Sequence, residues 1–203
     1  SIHVASMLSV FAAGLLPPGT NRPIFLYVAN SEGAGKTLLA QLAAIPYPVA
    51  QADTAPAKDE EWQKRLLALV LARRSVLLVD NVKTQLSSAS LEAYATTAKF
   101  CGRVLGESRE VCGPADATLL ITGNGMTISP DLRRRSLTVQ LFTPYLRSED
   151  REFRRILDAH AITELRPQIL SSLWALVREW DAAGRPSAAN TGASFPRWCQ
   201  TIG

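Results

Sequence analysis

The stretch from Ile24 to Thr37 has the sequence IFLYVANSEGAGKT, and it decides the fold class of this chain. Ile24–Ala29 is a continuous apolar run of strand length, which predicts a strand buried on both faces of a parallel sheet. Gly33 and Gly35 follow in a short loop, where their backbone can approach an anion closely. The apolar run after Thr37 predicts a helix, whose positive N-terminal end favours the same anion. The sequence therefore predicts a phosphate-binding loop between a strand and a helix.

The loop follows the pattern GxxxxGK[ST] except at its first position, where Asn30 replaces glycine. Asparagine tolerates a left-handed backbone better than most residues, so we expect the loop to keep its shape. In this pattern the lysine, here Lys36, reaches the β- and γ-phosphate oxygens, and the hydroxyl of Thr37 binds Mg²⁺. The residues expected to contact the nucleotide are Asn30, Ser31, Glu32, Gly33, Ala34, Gly35, Lys36, Thr37 and Leu38. ATP and Mg²⁺ are therefore the expected cofactors.

Strands and helices alternate along the rest of the chain. Helices are predicted over Ile2–Gly14, Gly35–Ile45, Asp59–Arg73, Ser90–Lys99 and Ile162–Ala183. Strands are predicted over Val49–Ala52, Ser75–Val79, Thr118–Thr122 and Leu137–Phe142, the last nearer an edge. This order predicts an α/β fold with a parallel central sheet flanked by helices. We expect residues 1–143 to form the core. Residues 144–203 would form a helical lid or the start of a second lobe, in a fragment of a longer protein.

Asp80 ends the apolar strand predicted over Ser75–Val79, and so belongs at the carboxyl edge of the sheet beside the phosphate loop. We expect it to hold Mg²⁺ together with Thr37. The alternative is an ordinary strand-ending aspartate. Asn81 stands where many ATPases have a catalytic glutamate, and an amide cannot take a proton from water. Glu60 and Glu61 are candidate bases, although acidic residues are also common at a solvated helix start.

Asn124 ends the apolar strand predicted over Thr118–Thr122, and it fits a sensor of the γ-phosphate or the attacking water. A Gly-Asn-Gly turn without such a role is the alternative. The run Arg133–Arg135 follows shortly, and arginine suits the spreading of phosphate charge. We expect Arg134 or Arg135 to act in trans, in an oligomer, unless the run is only a basic surface turn.

The composition of the chain limits which partners and which cellular compartment can be expected. The 203 residues carry a net charge of +4 with a pI near 9.2, which permits a phosphate-rich partner. No apolar run approaches the roughly 20 residues of a membrane span, so no membrane is expected. Cys101, Cys112 and Cys199 are odd in number and lack CxxC spacing. We expect three reduced thiols in a cytoplasmic protein.

Taken in order, these pieces resemble the ATPase domain of replicative helicases and primase-helicases of phages and mobile genetic elements. That group belongs with the AAA+ and superfamily III helicase-like P-loop ATPases. The matching stretches are Glu32–Leu39, Asp80-Asn81-Val82, Arg103–Ser108, Thr122-Gly123-Asn124, Asp131–Arg135, Leu173–Trp180, Ala183–Pro186 and Gly192–Trp198. The resemblance runs from about Leu8 to the end.

The resemblance implies a P-loop NTPase fold of the AAA+ type, ATP hydrolysis, a homo-oligomeric, hexameric ring, and motor action on single-stranded DNA. It also implies a primase domain, attached or as a partner. By the family pattern, Lys36 and Thr37 bind phosphate and Mg²⁺, and Asp80 holds Mg²⁺. Asn124 is the sensor, and Arg134 or Arg135 is the finger.

A hairpin between the magnesium strand and the sensor strand enters the pore in ring helicases of this kind. Here that interval contains Lys99, Arg103 and Arg109, and we expect them to contact DNA phosphates unless the segment is an ordinary surface loop. Gly102, Gly106 and Gly113 would permit its tight turns. Two other functions stay open: a slow nucleotide switch that assembles on a partner, and a small-molecule kinase.

Overall fold

A computed structural model describes residues 1–47, 52–83, 85–103, 109–144, 157–188 and 194–203. Its strands are β1 Ile24–Ala29, β2 Asp53–Thr54, β3 Val76–Val82, β4 Gln85–Leu86, β5 Lys99–Arg103, β6 Glu110–Pro114, β7 Thr118–Asn124, β8 Thr127–Ile128 and β9 Ser136–Leu141. Its helices are α1 Ile2–Phe11, α2 Lys36–Ala43, α3 Asp59–Leu71, α4 Ala89–Thr96, α5 Pro130–Arg134, α6 Ala159–Ala182 and α7 Pro196–Thr201, and a 3-10 turn covers Ala13–Leu15.

Five strands form one parallel sheet in the order β2-β3-β7-β1-β9. The sheet is flanked by helices on both faces, which confirms the α/β prediction. The carboxyl ends of β1, β3 and β7 meet at one edge because the strands run in one direction. The loop after β1 therefore lies beside the residues that end β3 and β7.

Alternate residues of each central strand pack into two different cores, as side chains of period two require. Phe25 of β1 lies with Trp198 of α7 in the core shared with α1 and α2. Leu26, the next residue, lies with Leu66 of α3 in the core shared with α4. All four side chains are buried. Burial on both faces explains why the central strands are continuous apolar runs.

Most predicted elements are confirmed, with shifted ends. The strand predicted over Leu137–Phe142 is β9, and it is an edge strand as expected. The N-terminal helix stops at Phe11 and continues as a 3-10 turn. The helix predicted over Ser90–Lys99 ends at Thr96, since Lys99 already pairs in β5. The strand predicted over Val49–Ala52 falls largely on residues 49–51, which lie outside the described residues.

The expectation of three reduced thiols is wrong for two of them. Cys101 and Cys112 lie directly opposite each other in the antiparallel pair β5–β6 and form a disulfide. Cys199 in α7 is free. Strand pairing brings together residues that are 11 apart in sequence, and cysteine spacing alone does not reveal that contact.

The C-terminal helices pack against the sheet domain through specific polar contacts. Arg166 of α6 donates to the carbonyl oxygens of Ile45 and Pro46, at 3.0 and 3.2 Å. Trp198 Nε1 of α7 donates to Ser9 Oγ of α1 at 2.8 Å. The division of the chain at residue 143 remains a prediction. Within the described ranges, no helix has both the length and the apolarity that crossing a bilayer requires.

Candidate functional site

The loop between β1 and α2 carries two glycines in the left-handed region. Gly33 has φ of 68° and Gly35 has φ of 89°, conformations that residues with a Cβ adopt only at a cost. Gly35 is the residue from which α2 starts, so the first N–H groups of the helix belong to Lys36 and its neighbours. Backbone concavities that bind anions are built from such left-handed residues and helix N-termini.

Lys36 is 7% exposed, and its Nζ donates to the carbonyl oxygen of Ser31 at 3.3 Å. Burial lowers the pKa of Lys36, while the carboxylates of Asp80 and Glu32 act in the opposite direction. Lys36 forms no salt bridge with any described carboxylate. A buried cation without a close counter-ion would be compensated by an anion in the loop.

Asp80 is held by hydroxyl groups from the two elements on either side of it. Its Oδ1 accepts from Thr37 Oγ1 of α2 at 2.6 Å and from Thr122 Oγ1 of β7 at 2.5 Å. Thr122 Oγ1 in turn accepts from the N–H of Asn81 at 2.9 Å. Both hydroxyls bind Oδ1, so among the described residues Oδ2 is left for a metal ion or water. The predicted pair of Thr37 and Asp80 is therefore brought together.

Asn81 occupies a bulge at the end of β3. The pairing of β3 with β7 shifts register between Val79 and Val82, and Asn81 has φ of 61°. Asparagine is among the few residues that take this conformation readily, whereas glutamate does so at a cost. The side chain of Asn81 is exposed, and the backbone at this position explains the residue type without a role as a base.

Thr122 and Gly123 are site residues for which sequence reasoning proposed no role. A Cβ added to Gly123 would lie 2.8 Å from the carbonyl oxygen of Val82 and 2.7 Å from Met126 Sδ. Glycine at this position therefore lets the bulged end of β3 approach β7. The available signal was a threonine and a glycine ending an otherwise apolar strand, which is weak because both residues are common at strand ends.

Asn124 is opposite Ala29, the last residue of β1, in the parallel pairing of β1 and β7. Its Oδ1 is buried and has no hydrogen-bond partner among the described residues. An unpaired buried amide oxygen costs stability unless water or a ligand satisfies it. Asn124 therefore presents an unused acceptor at the edge where the loop begins.

Asn30 does not adopt the left-handed backbone conformation that the sequence analysis allowed for it. Asn30 is absent from the residues with positive φ. Instead its side-chain amide donates to the carbonyl oxygen of Thr143 at 2.8 Å, and its Oδ1 accepts from the N–H of Thr143 at 3.0 Å. These paired bonds fasten the start of the loop to the chain just after β9, a task that glycine could not perform.

The candidate arginines lie at the end of α5. Arg134 is 74% exposed and pairs with Asp131 one turn earlier. Arg135 is 25% exposed, and its Nη1 donates to the carbonyl oxygen of Asp131 at 3.1 Å. Arg134 is therefore the more accessible of the two to a second molecule.

The candidate bases are not assembled with Asp80. A cleft of about 470 Å³ lies beside Asp80 and Asn81, and Trp62 also lines it. Asp80 is the only carboxylate among the described residues that line this cleft. Glu61 is exposed and pairs with Lys64 at 2.6 Å, and Glu60 is exposed as well.

The predicted hairpin is present as β5 and β6, with residues 104–108 outside the described part of the chain. Lys99, Arg103 and Arg109 are exposed. Gly102 and Gly113 lie within the paired strands rather than in a turn. A Cβ on Gly102 would come within 3.2 Å of the Leu67 side chain, and one on Gly113 would collide with Val70. These glycines therefore let the hairpin pack closely on α3; Gly106 lies outside the described residues.

Within the described ranges, no group of three or more His, Cys, Asp or Glu side chains converges on a metal site. The oxygen atoms of Thr37 and Asp80 fit a Mg²⁺ ion that takes its remaining ligands from phosphate and water.

No family model matches the chain, and no curated protein matches it. Among solved structures, the chain is similar to the A form apo structure of the C-terminal region of NrS-1, with a TM-score of 0.49 and 12% sequence identity. The match covers 84% of this chain but only 39% of that one.

Proposed function

We propose that this chain binds ATP with Mg²⁺ in the loop of residues 30–37 and hydrolyses it. The observation that carries the proposal is the hydrogen bond of 2.6 Å between Thr37 Oγ1 and Asp80 Oδ1. It joins the hydroxyl that follows the loop lysine to the carboxylate near the end of β3. This pairing of Walker A hydroxyl and Walker B carboxylate is the magnesium-binding arrangement of P-loop NTPases.

Each residue has a distinct role in the proposed reaction. Lys36 neutralises the phosphate oxygens, and its burial strengthens that interaction because fewer waters compete for the charge. Gly33 and Gly35 let backbone N–H groups face the phosphates. Mg²⁺, when bound by Thr37 and Asp80, polarises the phosphoryl oxygens. The remaining loop positions named above contribute backbone contacts.

Asn124 would use its unpaired Oδ1 to accept from the attacking water and so orient it. An amide orients water but does not remove its proton, so a base from another residue or another subunit is still required. Phosphoryl transfer needs positioning and charge stabilisation more than a strong base. Asn81 in place of glutamate is therefore compatible with turnover.

The cleft beside Asp80 supports a second candidate, a slow nucleotide switch. Asp80 alone supplies a carboxylate to the described lining of its cleft, and its Oδ1 already accepts from two hydroxyls. A domain of this kind would bind ATP tightly, hydrolyse it slowly and assemble on a protein or DNA partner without translocation.

We further propose that the chain works as a ring-forming motor on single-stranded DNA, in a replicative helicase or primase-helicase. Arg134 is accessible enough to reach the nucleotide of a neighbouring subunit. Lys99, Arg103 and Arg109 give the β5–β6 hairpin an exposed basic surface for DNA phosphates. This proposal includes a hexameric homo-oligomer and a primase domain, attached or as a partner.

The test is ATP hydrolysis with and without single-stranded DNA, across a range of protein concentration. The Lys36→Ala variant should lose turnover by about a hundredfold or more, as expected when a charge-stabilising group is removed. Lys64→Ala is the matched control, because Lys64 is an exposed lysine whose salt bridge among the described residues is with Glu61. Turnover that persists in Lys36→Ala refutes the assignment of the loop.

The dependence on DNA and protein concentration separates the two candidates. A motor with a trans-acting arginine gives turnover that rises with DNA and more than linearly with protein, and Arg134→Ala abolishes both effects. A switch gives slow turnover that DNA does not change. Glu60→Gln and Glu61→Gln test the remaining base hypothesis, which fails if both variants keep full turnover.

A further inference from the structure

A second pocket, of about 300 Å³, lies at the other end of the sheet from the 30–37 loop. Arg22, Ser75 and Asp116 line it, and they precede β1, β3 and β7 respectively. Parallel strands of this length separate their two ends by about 20 Å. The pocket is therefore distinct from the proposed nucleotide site. Arg73 and Arg74, at the end of α3, complete its basic lining.

Arg22 is a buried guanidinium without a close counter-ion. It is 8% exposed. Its Nη1 and Nη2 reach Thr118 Oγ1 and the carbonyl oxygen of Ala13 only at 3.5 Å, and its Nε has no partner among the described residues. Burial lowers the pKa of Arg22, and the carboxylate of Asp116 offsets this only in part. A buried charge of this kind is costly unless an anion pairs with it.

Arg73 occupies a backbone position that favours glycine. The N–H of Arg73 donates to the carbonyl oxygen of Val70, and that of Arg74 to the carbonyl oxygen of Leu69, both at 3.1 Å. This is the Schellman ending of a helix, in which the first residue past the cap is left-handed and is usually glycine. Arg73 has φ of 49° there.

The helix dipole favours a cation near the end of α3. It does not require one at the left-handed position, because Arg74 is adjacent and supplies the same charge. Arg73 therefore keeps a strained backbone at the rim of the pocket, where its side chain adds a second cation to that of Arg74.

We propose that this pocket binds a phosphate group, with Arg22 at its base and with Arg73 and Arg74 at its rim. Among the described residues that line the pocket, three arginines and the one carboxylate of Asp116 leave a charge of +2 (three minus one). Guanidinium groups bind phosphate oxygens through paired N–H donors. The pocket volume suits one phosphate with part of a sugar. The phosphate belongs either to a free mononucleotide or to the backbone of single-stranded DNA.

The test is isothermal titration calorimetry at low ionic strength, with each protein measured with Lys36 intact and again as its Lys36→Ala variant, which lacks the cation of the 30–37 loop. The probes are inorganic phosphate, thymidine monophosphate, and a thymidine hexanucleotide without a terminal phosphate. The main variant is Arg73→Gly, which removes the side chain and relieves the backbone strain. Arg185→Gly is the matched control, since Arg185 also has positive φ, at 58°, and lies on the exposed end of α6.

Arg73→Gly should weaken binding by about tenfold or more, as loss of a charged hydrogen bond predicts, without lowering the melting temperature. Arg74→Gln should weaken it similarly, and Arg185→Gly should bind like the wild type. Dependence on Arg73 with phosphate and the mononucleotide identifies a free phosphate ligand; dependence with the hexanucleotide alone identifies the DNA backbone.

The proposal is wrong if no probe binds the wild type, or if no probe depends on Arg73 or Arg74. It is also wrong if Arg185→Gly weakens binding as much, because the effect would then be one of net charge. None of these outcomes depends on whether the 30–37 loop hydrolyses ATP, so failure of that function is measured separately.

Discussion

Replacing Thr122 with valine should destabilise the protein more than the change in shape would suggest. Thr122 is 1% exposed. Its hydroxyl donates to Asp80 Oδ1 at 2.5 Å and accepts from the N–H of Asn81 at 2.9 Å. Valine fills nearly the same volume but leaves the carboxylate with one hydroxyl fewer and the Asn81 N–H without its partner.

The magnitude follows from the two lost hydrogen bonds. A hydrogen bond to a charged group contributes about 1.5–3 kcal/mol, and an unpaired buried N–H costs about 1–3 kcal/mol. Asn81 is exposed enough for water to satisfy part of the N–H loss, so we expect about 2–4 kcal/mol in total. For a chain of this size, about 2–4 °C per kcal/mol gives a fall in melting temperature of about 4–16 °C.

The assay is thermal and urea unfolding followed by circular dichroism. Thr122→Ser is the control, because serine keeps the hydroxyl and loses only a methyl group, at a cost of about 1 kcal/mol. The reasoning is refuted if Thr122→Val stays within about 0.5 kcal/mol of the wild type, or is as stable as Thr122→Ser. Either result would mean that the hydroxyl does not hold Asp80.

Two further predictions concern other contacts. Gly123→Ala should cost about 1–3 kcal/mol in unfolding free energy through overpacking, since its Cβ would lie 2.8 Å from a backbone oxygen. Gly14→Ala, with open space around it and no positive φ, should be neutral, and equal stability of the two variants would contradict the packing argument. Asp59 has a lowered pKa because hydrogen bonds from Ser88 and Ser90 outweigh the opposing effect of burial. The contribution of Asp59 to the free energy of unfolding is therefore complete above the unfolded pKa near 3.8, and it is lost as the pH falls through the lower pKa of the folded state. The free energy of unfolding, measured against pH, should show this loss in the wild type and not in the Asp59→Asn variant. The same acid slope in both proteins would contradict the prediction.

The elements near the loop could be predicted from sequence because their signals are local. An apolar run, two glycines and a Lys-Thr pair are adjacent in the chain, so strand, turn and helix follow from propensity and pattern. The positions of Asp80 and Asn124 at one edge also followed, since parallel strands place their carboxyl ends together.

The contacts of Asn30 and the pairing of Cys101 with Cys112 could not be predicted in this way. Asn30 binds Thr143, which is 113 residues away in sequence, and nothing in the local pattern identifies that partner. The cysteines meet because β5 and β6 pair antiparallel in one register. The sequence shows the backbone preference of asparagine and the spacing of the cysteines. The contacts that these residues make depend on segments that only folding brings together.

By itself, the sequence determined the main strands β1, β3, β7 and β9, the helices α1, α2, α3, α4 and α6, and the glycine-containing loop between β1 and α2, because each depends on neighbours in the chain. The short elements β4, β8, α5 and α7 were not predicted. Only the tertiary structure decided that Thr122 and Thr37 share Oδ1 of Asp80, that Asn81 lies in a bulge, and that Arg22 and Arg73 line one pocket at the amino end of the sheet. These arrangements depend on strand register and on helix packing, which fix distances between residues that are far apart in sequence.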